Sequence, residues 1–177
     1  MIVNYLKQPF PGIENEYELE PDKVKVDLGS GFNKLPGYIK IDYHPHKGNI
    51  NIICDLEKDP LPFNDNFVDV LRATHILEHI SNLKHLMQEC YRVLKPESLM
   101  HIVVPCYPAP LAFQDPTHVR YFTDETIEKY FCKRSETNTK WYVLPYLENT
   151  NFELVSSWVY GDKVSNLVSD VIVKAIK

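Results

Sequence analysis

The four cysteines of this 177-residue chain, Cys54, Cys90, Cys106 and Cys132, include no C-x-x-C pair. That absence excludes a disulfide framework and a zinc knuckle. Three of them sit in apolar runs (Ile52-Ile53-Cys54, Val103-Val104-Pro105-Cys106 and Tyr130-Phe131-Cys132), as buried free thiols do. A basic stripe is missing as well: 19 Lys and Arg stand against 24 Asp and Glu, a formal net charge of −5. Phosphate neutralisation by Lys and Arg supplies most of the affinity for nucleic acid, so duplex DNA is not an expected partner. The densest basic cluster, Lys133-Arg134 with Lys129 and Lys140 nearby, reads as a solvated loop. The acids Glu14, Glu16, Glu18, Glu20 and Asp22 make the N-terminal arm acidic. No uninterrupted apolar stretch approaches the roughly 20 residues that a bilayer demands. Residues Met1 to Lys7 lack the basic start and long apolar run of a signal peptide. A soluble, cytoplasmic protein without a membrane partner is expected. Neither an internal repeat nor a low-complexity segment is present.

What remains is of globular type, with 44% hydrophobic and 24% charged residues. The length suits an N-terminal arm over 1–23 and a single domain over 24–177. Eleven tyrosines against two tryptophans fit core and rim positions, or a stacking surface for a planar ligand.

Val24 to Leu28 alternates and is β-branched, which predicts a strand ending at Gly29-Ser30-Gly31. Tyr38 to Asp42 is a second predicted strand, and Asn49 to Cys54 a third, followed by Asp55. Pro60 to Asn66 carries strong turn chemistry, and Phe67 to Ala73 is a fourth strand. From Ser81 the period changes. Leu83, Leu86, Met87, Cys90, Val93 and Leu94 recur at spacings of three and four, which predicts an amphipathic helix capped by Ser81 and closed at Lys95-Pro96. Leu99 to Val104 is a fifth strand, and Pro105 to Thr123 a loop rich in Pro, Tyr, Phe and His. Thr123-Asp124-Glu125-Thr126 caps a short helix through Phe131. Asn151 to Tyr160 and Leu167 to Ile176 are two closing strands joined around Gly161-Asp162. Such alternation, with early strands apolar on both faces, predicts a mainly parallel α/β sheet.

Three consecutive strand ends carry chemistry. Glycines in Asp27-Leu28-Gly29-Ser30-Gly31 let backbone approach a ligand closely. Asp42, at the tip of the next strand, is placed to take both hydroxyls of a ribose. Asp55 and Leu56 follow the third strand, a polar and an apolar residue where an adenine edge and face would lie. Ligands of open α/β sheets bind beyond the carboxyl ends of the strands, so the three form one constellation.

These runs, with Leu35-Pro36-Gly37-Tyr38-Ile39-Lys40-Ile41-Asp42 and Leu61-Pro62-Phe63, resemble the class I (Rossmann-like) S-adenosylmethionine-dependent methyltransferases. The likeness is greatest to a small predicted group whose glycine loop is followed almost at once by a Pro-Gly-Tyr and an acid. His75-Ile76-Leu77-Glu78-His79-Ile80 and Glu89-Cys90-Tyr91-Arg92-Val93-Leu94-Lys95-Pro96 are similar to that superfamily's stretch after the fourth strand. Together the matches run from Val24 to Pro105. The resemblance implies a seven-stranded sheet with an antiparallel terminal strand and reduced helices after the first two strands. It also implies S-adenosylmethionine as cofactor, with its methionine and sulfonium near Asp27, Gly29, Ser30 and Gly31. Asp42 would then take the ribose, Asp55 and Leu56 the adenine, and His75 would lie beside the cofactor. The sequence departs from the family in two ways. The first crossover is about nine residues, too short for the usual helix, which would bare one sheet face for the arm or a second subunit. Asn33 stands near the place of a third glycine.

In this fold the loop after the fifth strand is where substrate groups sit. It gathers Asp115, His118, Arg120 and Tyr121, with Tyr107 upstream. His118 is the candidate base, Asp115 its orienter and Tyr121 a third catalytic candidate. The same Asp-Pro-Thr-His run also suits an Asx-type turn that merely shapes the loop. His75 and His79 have an i, i+4 spacing, but His-Ile-Leu-Glu-His is not the zincin order, and no metal site is expected. The expected activity is methyl transfer to a small-molecule, sugar or nucleotide-like acceptor, with RNA and protein acceptors and a homodimer left open. A catalytically degenerate binding or partner subunit is the alternative. A dinucleotide oxidoreductase is disfavoured by the missing G-x-G-x-x-G.

Overall fold

The computed structural model describes residues 22–33, 35–132, 150–161 and 167–177. The arm up to residue 21, the Lys133-Arg134 cluster with Lys140, and the Asp162 end of the closing turn lie outside the described residues.

Seven strands form one sheet: β1 (Lys25–Leu28), β2 (Tyr38–Asp42), β3 (Ile52–Ile53), β4 (Val68–Thr74), β5 (Leu94–Pro105), β6 (Phe152–Tyr160) and β7 (Val168–Ala175). Their order is β3-β2-β1-β4-β5-β7-β6. The first five are parallel, and β7 runs antiparallel to both β5 and β6. The Rossmann-like class is therefore correct, down to the antiparallel terminal strand. Between β1 and β4 the described residues hold no helix beyond a 3-10 turn at His46–Gly48. The nine residues from 29 to 37 carry the chain from β1 to β2 with no room for an ordinary crossover helix.

The helices that do form are α1 (Leu83–Val93), α2 (Leu111–Gln114) and α3 (Thr126–Phe131). On α1 the three-and-four spacing buries Leu83, Leu86, Met87, Cys90 and Val93 against the sheet. They pack with Val26, Leu28, Leu71, Ala73, Met100, Ile102, Val171 and Val173, the residues that alternate onto one face of the central strands. The residues between them point the other way, and in β1, β4 and β5 they are polar. Lys40, Asp27, Arg72 and His101 stand side by side in register across β2, β1, β4 and β5. Asp27 pairs with Arg72 at 2.8 Å, and His101 with Asp170 of β7 at 2.8 Å.

Four elements differ from the expected ones. β3 shrinks to two residues, because only Ile41–Ile52 and Asp42–Ile53 are in register. β5 begins at Leu94 rather than Leu99, and a register shift with Glu97 at φ 63° absorbs Pro96 within the strand. The Pro105 to Thr123 loop contains the helical turn α2. At the start of α1 the N-cap is Asn82, not Ser81, and neither side chain caps it. The Glu57 carboxylate does so from outside, accepting the Ser81 and Asn82 N–H groups at 2.5 and 2.8 Å.

Candidate functional site

The carboxyl ends of β1, β2 and β3 converge as predicted, and the loops leaving them are bonded to one another. Gly29 and Gly31 both have positive φ, 60° and 54°. At Gly29 a Cβ would also lie 2.5 Å from the Ile76 side chain, so the glycine is required twice over. Around Gly31 nothing lies within 4 Å of an added Cβ, which leaves its surface open. Asp42 Oδ2 accepts the Gly31 N–H at 2.8 Å, and Oδ1 accepts that of His44 at 3.0 Å with the His46 ring at 3.2 Å. Burial alone would raise this carboxyl. The two backbone N–H groups and His46 outweigh it and hold Asp42 below the usual carboxylate range. Asn49 completes the loop: its Nδ2 donates to the carbonyls of Gly31 and Asn33 at 3.1 and 3.0 Å, and its Oδ1 accepts Lys40 Nζ at 2.8 Å. Asn33 thus serves through its carbonyl at the place of a third glycine.

Two buried oxygens beside this cradle, Asp27 Oδ2 and Ser30 Oγ, have no hydrogen-bond partner among the described residues. Burial pushes the Asp27 carboxyl up, against the opposing pull of Arg72. Orphaned buried acceptors are rare in folded proteins, and a ligand that donates hydrogen bonds is one way to satisfy them. The cradle therefore fits the cofactor that the sequence implies. Asp55 is arranged differently. Its oxygens are taken up locally by Lys58 Nζ at 2.8 Å and the Glu57 N–H at 3.0 Å, which lower its pKa. Leu56 is buried in the core rather than presented to a ligand. His75 closes β4 at φ 52° with its ring half exposed, 3.4 Å from Glu78.

An aromatic group that sequence reasoning missed flanks the cradle. Phe32 and Tyr43 are exposed, Phe32 meets His46 edge-on at 4.7 Å, and Tyr43 meets His44 at 4.8 Å. The signal was Tyr43-His44-Pro45-His46 directly after Asp42.

The loop after β5 does not bring His118, Asp115 and Tyr121 together around one exposed point. Asp115 forms the Asx turn: Oδ1 accepts the Thr117 N–H at 2.9 Å and its hydroxyl at 2.6 Å, which lowers the Asp115 pKa. His118 is buried, its Nδ1 3.0 Å from the Ala112 carbonyl and its Nε2 3.9 Å from Asp115 Oδ2. Arg120 is a clamp. Its guanidinium donates to the carbonyls of Ile80 and Ser81, while the Val119 and Arg120 N–H groups donate to Glu78 O. Tyr121 is exposed and stacked on Phe113 at 4.8 Å, and Phe113 meets Tyr107 edge-on at 6.3 Å. Those three rings make an aromatic ledge beyond the end of β5.

A family described as "Methyltransferase domain" matches residues 26–102, the span that holds the cradle, the Leu-Glu-His turn and most of β5. A highly reducing polyketide synthase of Aspergillus nomiae is 29% identical over 97 residues, 54% of this chain. The chain spans only 4% of that protein's length. A SAM-dependent methyltransferase from Archaeoglobus fulgidus superimposes with a TM-score of 0.56, at 17% identity over 86% of each chain. The Burkholderia thailandensis 1,6-didemethyltoxoflavin-N1-methyltransferase, solved with its substrate and S-adenosylhomocysteine, gives 0.58 at 13% identity, over 88% of this chain and 72% of that one. At such identities the likeness is one of fold.

Proposed function

For a chain with a Rossmann-like fold whose residues 26–102 match a methyltransferase domain family, we propose S-adenosylmethionine-dependent methyl transfer to a small, ring-bearing acceptor. The observation that carries this reading is the hydrogen bond from Gly31 to Asp42. It ties the glycine loop of β1 to the acid of β2 while Gly31 keeps an open surface. In this reading Asp42 takes the ribose hydroxyls with its remaining lone pairs. Asp27 Oδ2 and Ser30 Oγ receive the methionine end along Gly29 and Gly31. The adenine lies beyond β3, beside Asp55, with His75 bordering the sulfonium.

When bound, S-adenosylmethionine supplies an already activated methyl group. The protein's task is therefore to position the acceptor in line and exclude water. Tyr107, Phe113 and Tyr121 offer rings for a planar or sugar acceptor to stack upon. His118 and Asp115 act on the acceptor through the loop they shape, as positioning residues. The net charge of −5 favours a small acceptor over a nucleic acid.

Calorimetric titration with S-adenosylhomocysteine, with NAD as control, tests the class. Binding of the first alone is expected; binding of neither, or of NAD, rejects the assignment. Cofactor bound without turnover across a broad acceptor screen would instead favour a partner subunit, a reading that the missing crossover helices support. Replacing His118 by Ala is expected to leave homocysteine-analogue affinity unchanged and to lower turnover about 10-fold or more, the scale of a misplaced acceptor. Unchanged turnover would make the loop purely architectural.

A further inference from the structure

The turn at Leu77–His79 and the loop after β5 bring three ligating side chains to one buried point. One oxygen or nitrogen from each of Glu78, His79 and His118 lies within 4.8 Å of the others. We propose that these three residues bind a zinc-class divalent cation, which pins the loop after β5 to the turn after β4.

Glu78 is the first reason. It is 1% exposed, and neither carboxylate oxygen has a hydrogen-bond partner among the described residues. A carboxylate is driven into the interior at high cost unless it is paired or bound to a metal. The His75 ring lies 3.4 Å from it and is half exposed.

The two imidazoles are the second reason, independent of the first. His118 Nδ1 lies 3.0 Å from the carbonyl of Ala112, which can only accept, so Nδ1 carries the proton. His79 Nδ1 lies 3.2 Å from the carbonyl of Thr117, which assigns its proton in the same way. The Thr117 hydroxyl donates to Asp115 at 2.6 Å, so toward His79 it too serves as acceptor, at 3.1 Å. Both rings are thereby fixed in the tautomer that leaves Nε2 as a bare lone pair. A backbone carbonyl on the far nitrogen is the usual outer support of a metal-bound histidine. Two imidazoles and one carboxylate suit zinc and its neighbours rather than calcium or magnesium.

The spacing is that of an open site. Bonds of about 2.0–2.1 Å at tetrahedral angles put ligand atoms roughly 3.3 Å apart, so side-chain rotations of an ångström or so close the group. The backbone already holds the two segments in place, through Val119 N–H and Arg120 N–H on Glu78 O at 2.9 and 3.2 Å. Asp115 Oδ2, 3.9 Å from His118 Nε2, stands at the rim, where a fourth ligand or a water completes the shell. The set is not the His75 and His79 pair that the sequence suggests and sets aside. It joins His79 to its neighbour and to a histidine that only the fold brings near.

The test does not use methyl transfer, so it stands or falls apart from the proposed activity. The full chain is loaded with zinc, passed over a desalting column and measured by inductively coupled plasma mass spectrometry. Cobalt(II) is then titrated into the metal-free protein and followed by its visible absorption. About one zinc per chain and intense tetrahedral cobalt bands are expected. His79→Gln and His118→Gln should each lose the ion by at least 10-fold in affinity, while His75→Gln keeps it. Circular dichroism confirms that each variant is folded, and the half-buried His79 guards against loss of His118 through misfolding. A strong chelator should lower the Tm of the loaded parent and leave that of His79→Gln unmoved. Wild-type protein that binds no zinc, zinc retained in both histidine variants, or loss on His75→Gln alone overturns the proposal.

Discussion

Asp42 is organised by its own neighbours before any ligand reaches it. Its two oxygens fix the glycine loop and the turn after β2, so replacing it removes a loop anchor and, with it, the proposed ribose contact. Asp42→Ala is expected to weaken S-adenosylhomocysteine binding by roughly 1–3 kcal/mol, measured by calorimetry. The lowered pKa adds a pH dependence with a defined sign. A carboxylate held below its unfolded value, about 3.9, stabilises the fold above that pH and loses the contribution as pH falls through the folded value. Asp42→Asn should therefore destabilise at neutral pH and show a shallower fall in Tm below about pH 4 than the parent. The glycines separate by the space around them. Gly29→Ala meets both positive φ and the Ile76 side chain, and should cost about 2–4 kcal/mol of stability in urea unfolding. Gly31→Ala meets only the backbone term, about 1–2 kcal/mol, and should act mainly on cofactor affinity. Equal losses at the two sites would refute this division. At this scale the placement of Gly29, Gly31 and Asp42 at neighbouring strand tips was legible in the sequence, since it follows from where β1 and β2 end. Leu56 was not, because nothing local says whether an apolar residue after a strand turns inward. Arg120 was not either, since its partners are the carbonyls of Ile80 and Ser81, from another segment.

Among the elements, α1 shows why a helix can be foreseen while its ends cannot. Its period alone selects the buried stripe, but the N–H groups of Ser81 and Asn82, just ahead of its first turn, are satisfied by Glu57, from a turn that precedes β4. A cap supplied over that distance leaves no local mark, and Ser81 looked the better candidate. The polar face of α1 has its own work. Arg92 grips Glu89 with both Nε and Nη2, at 2.8 and 2.6 Å, and its guanidinium also donates to the carbonyls of Leu61 and Phe63. Glu89 in turn accepts the Leu61 N–H at 2.8 Å. The Glu-Cys-Tyr-Arg run thus fastens the Leu-Pro-Phe loop onto the helix. A lysine cannot reproduce that planar fork, so Arg92→Lys should cost about 1–3 kcal/mol in denaturant unfolding, with cofactor affinity little changed. A loss below a few tenths of a kcal/mol would mean that the loop holds itself. β3 was overestimated for the opposite reason: an isoleucine-rich run looks like a strand whether or not it stays in register with its neighbour, and only Ile52 and Ile53 do.

At the scale of the whole molecule, the mainly parallel fold class was legible because it follows from the alternation of strands and helices, and the antiparallel terminal strand came with the family resemblance; the strand order did not. The unequal faces were half legible. The short crossover announced a missing helix, but not the row of Lys40, Asp27, Arg72 and His101 that stands on that side. Such residues alternate with core positions in each strand, and only register lines them up. The acceptor remained unread, since the aromatic ledge draws on residues on both sides of α2. A cofactor that binds the folded state alone must stabilise the whole molecule. S-adenosylhomocysteine at 100 times its Kd is expected to add about 2.7 kcal/mol, a Tm rise of roughly 5–11 °C for a domain of this size. NAD at the same concentration should leave Tm unmoved.

The position of β7 also governs how the protein is made. β6 leaves the ribosome first, yet among the described residues its neighbour in the sheet is β7, which inserts between it and β5. During synthesis β6 therefore waits without a strand to pair with, and β5 exposes the edge that β7 will later occupy. Release of residues 168–175 is the event that converts a five-stranded half-product into the seven-stranded sheet. Chains stalled after Tyr160 should be held by chaperones and cleaved readily, because an uncovered, apolar strand edge is what aggregation and proteolysis both find.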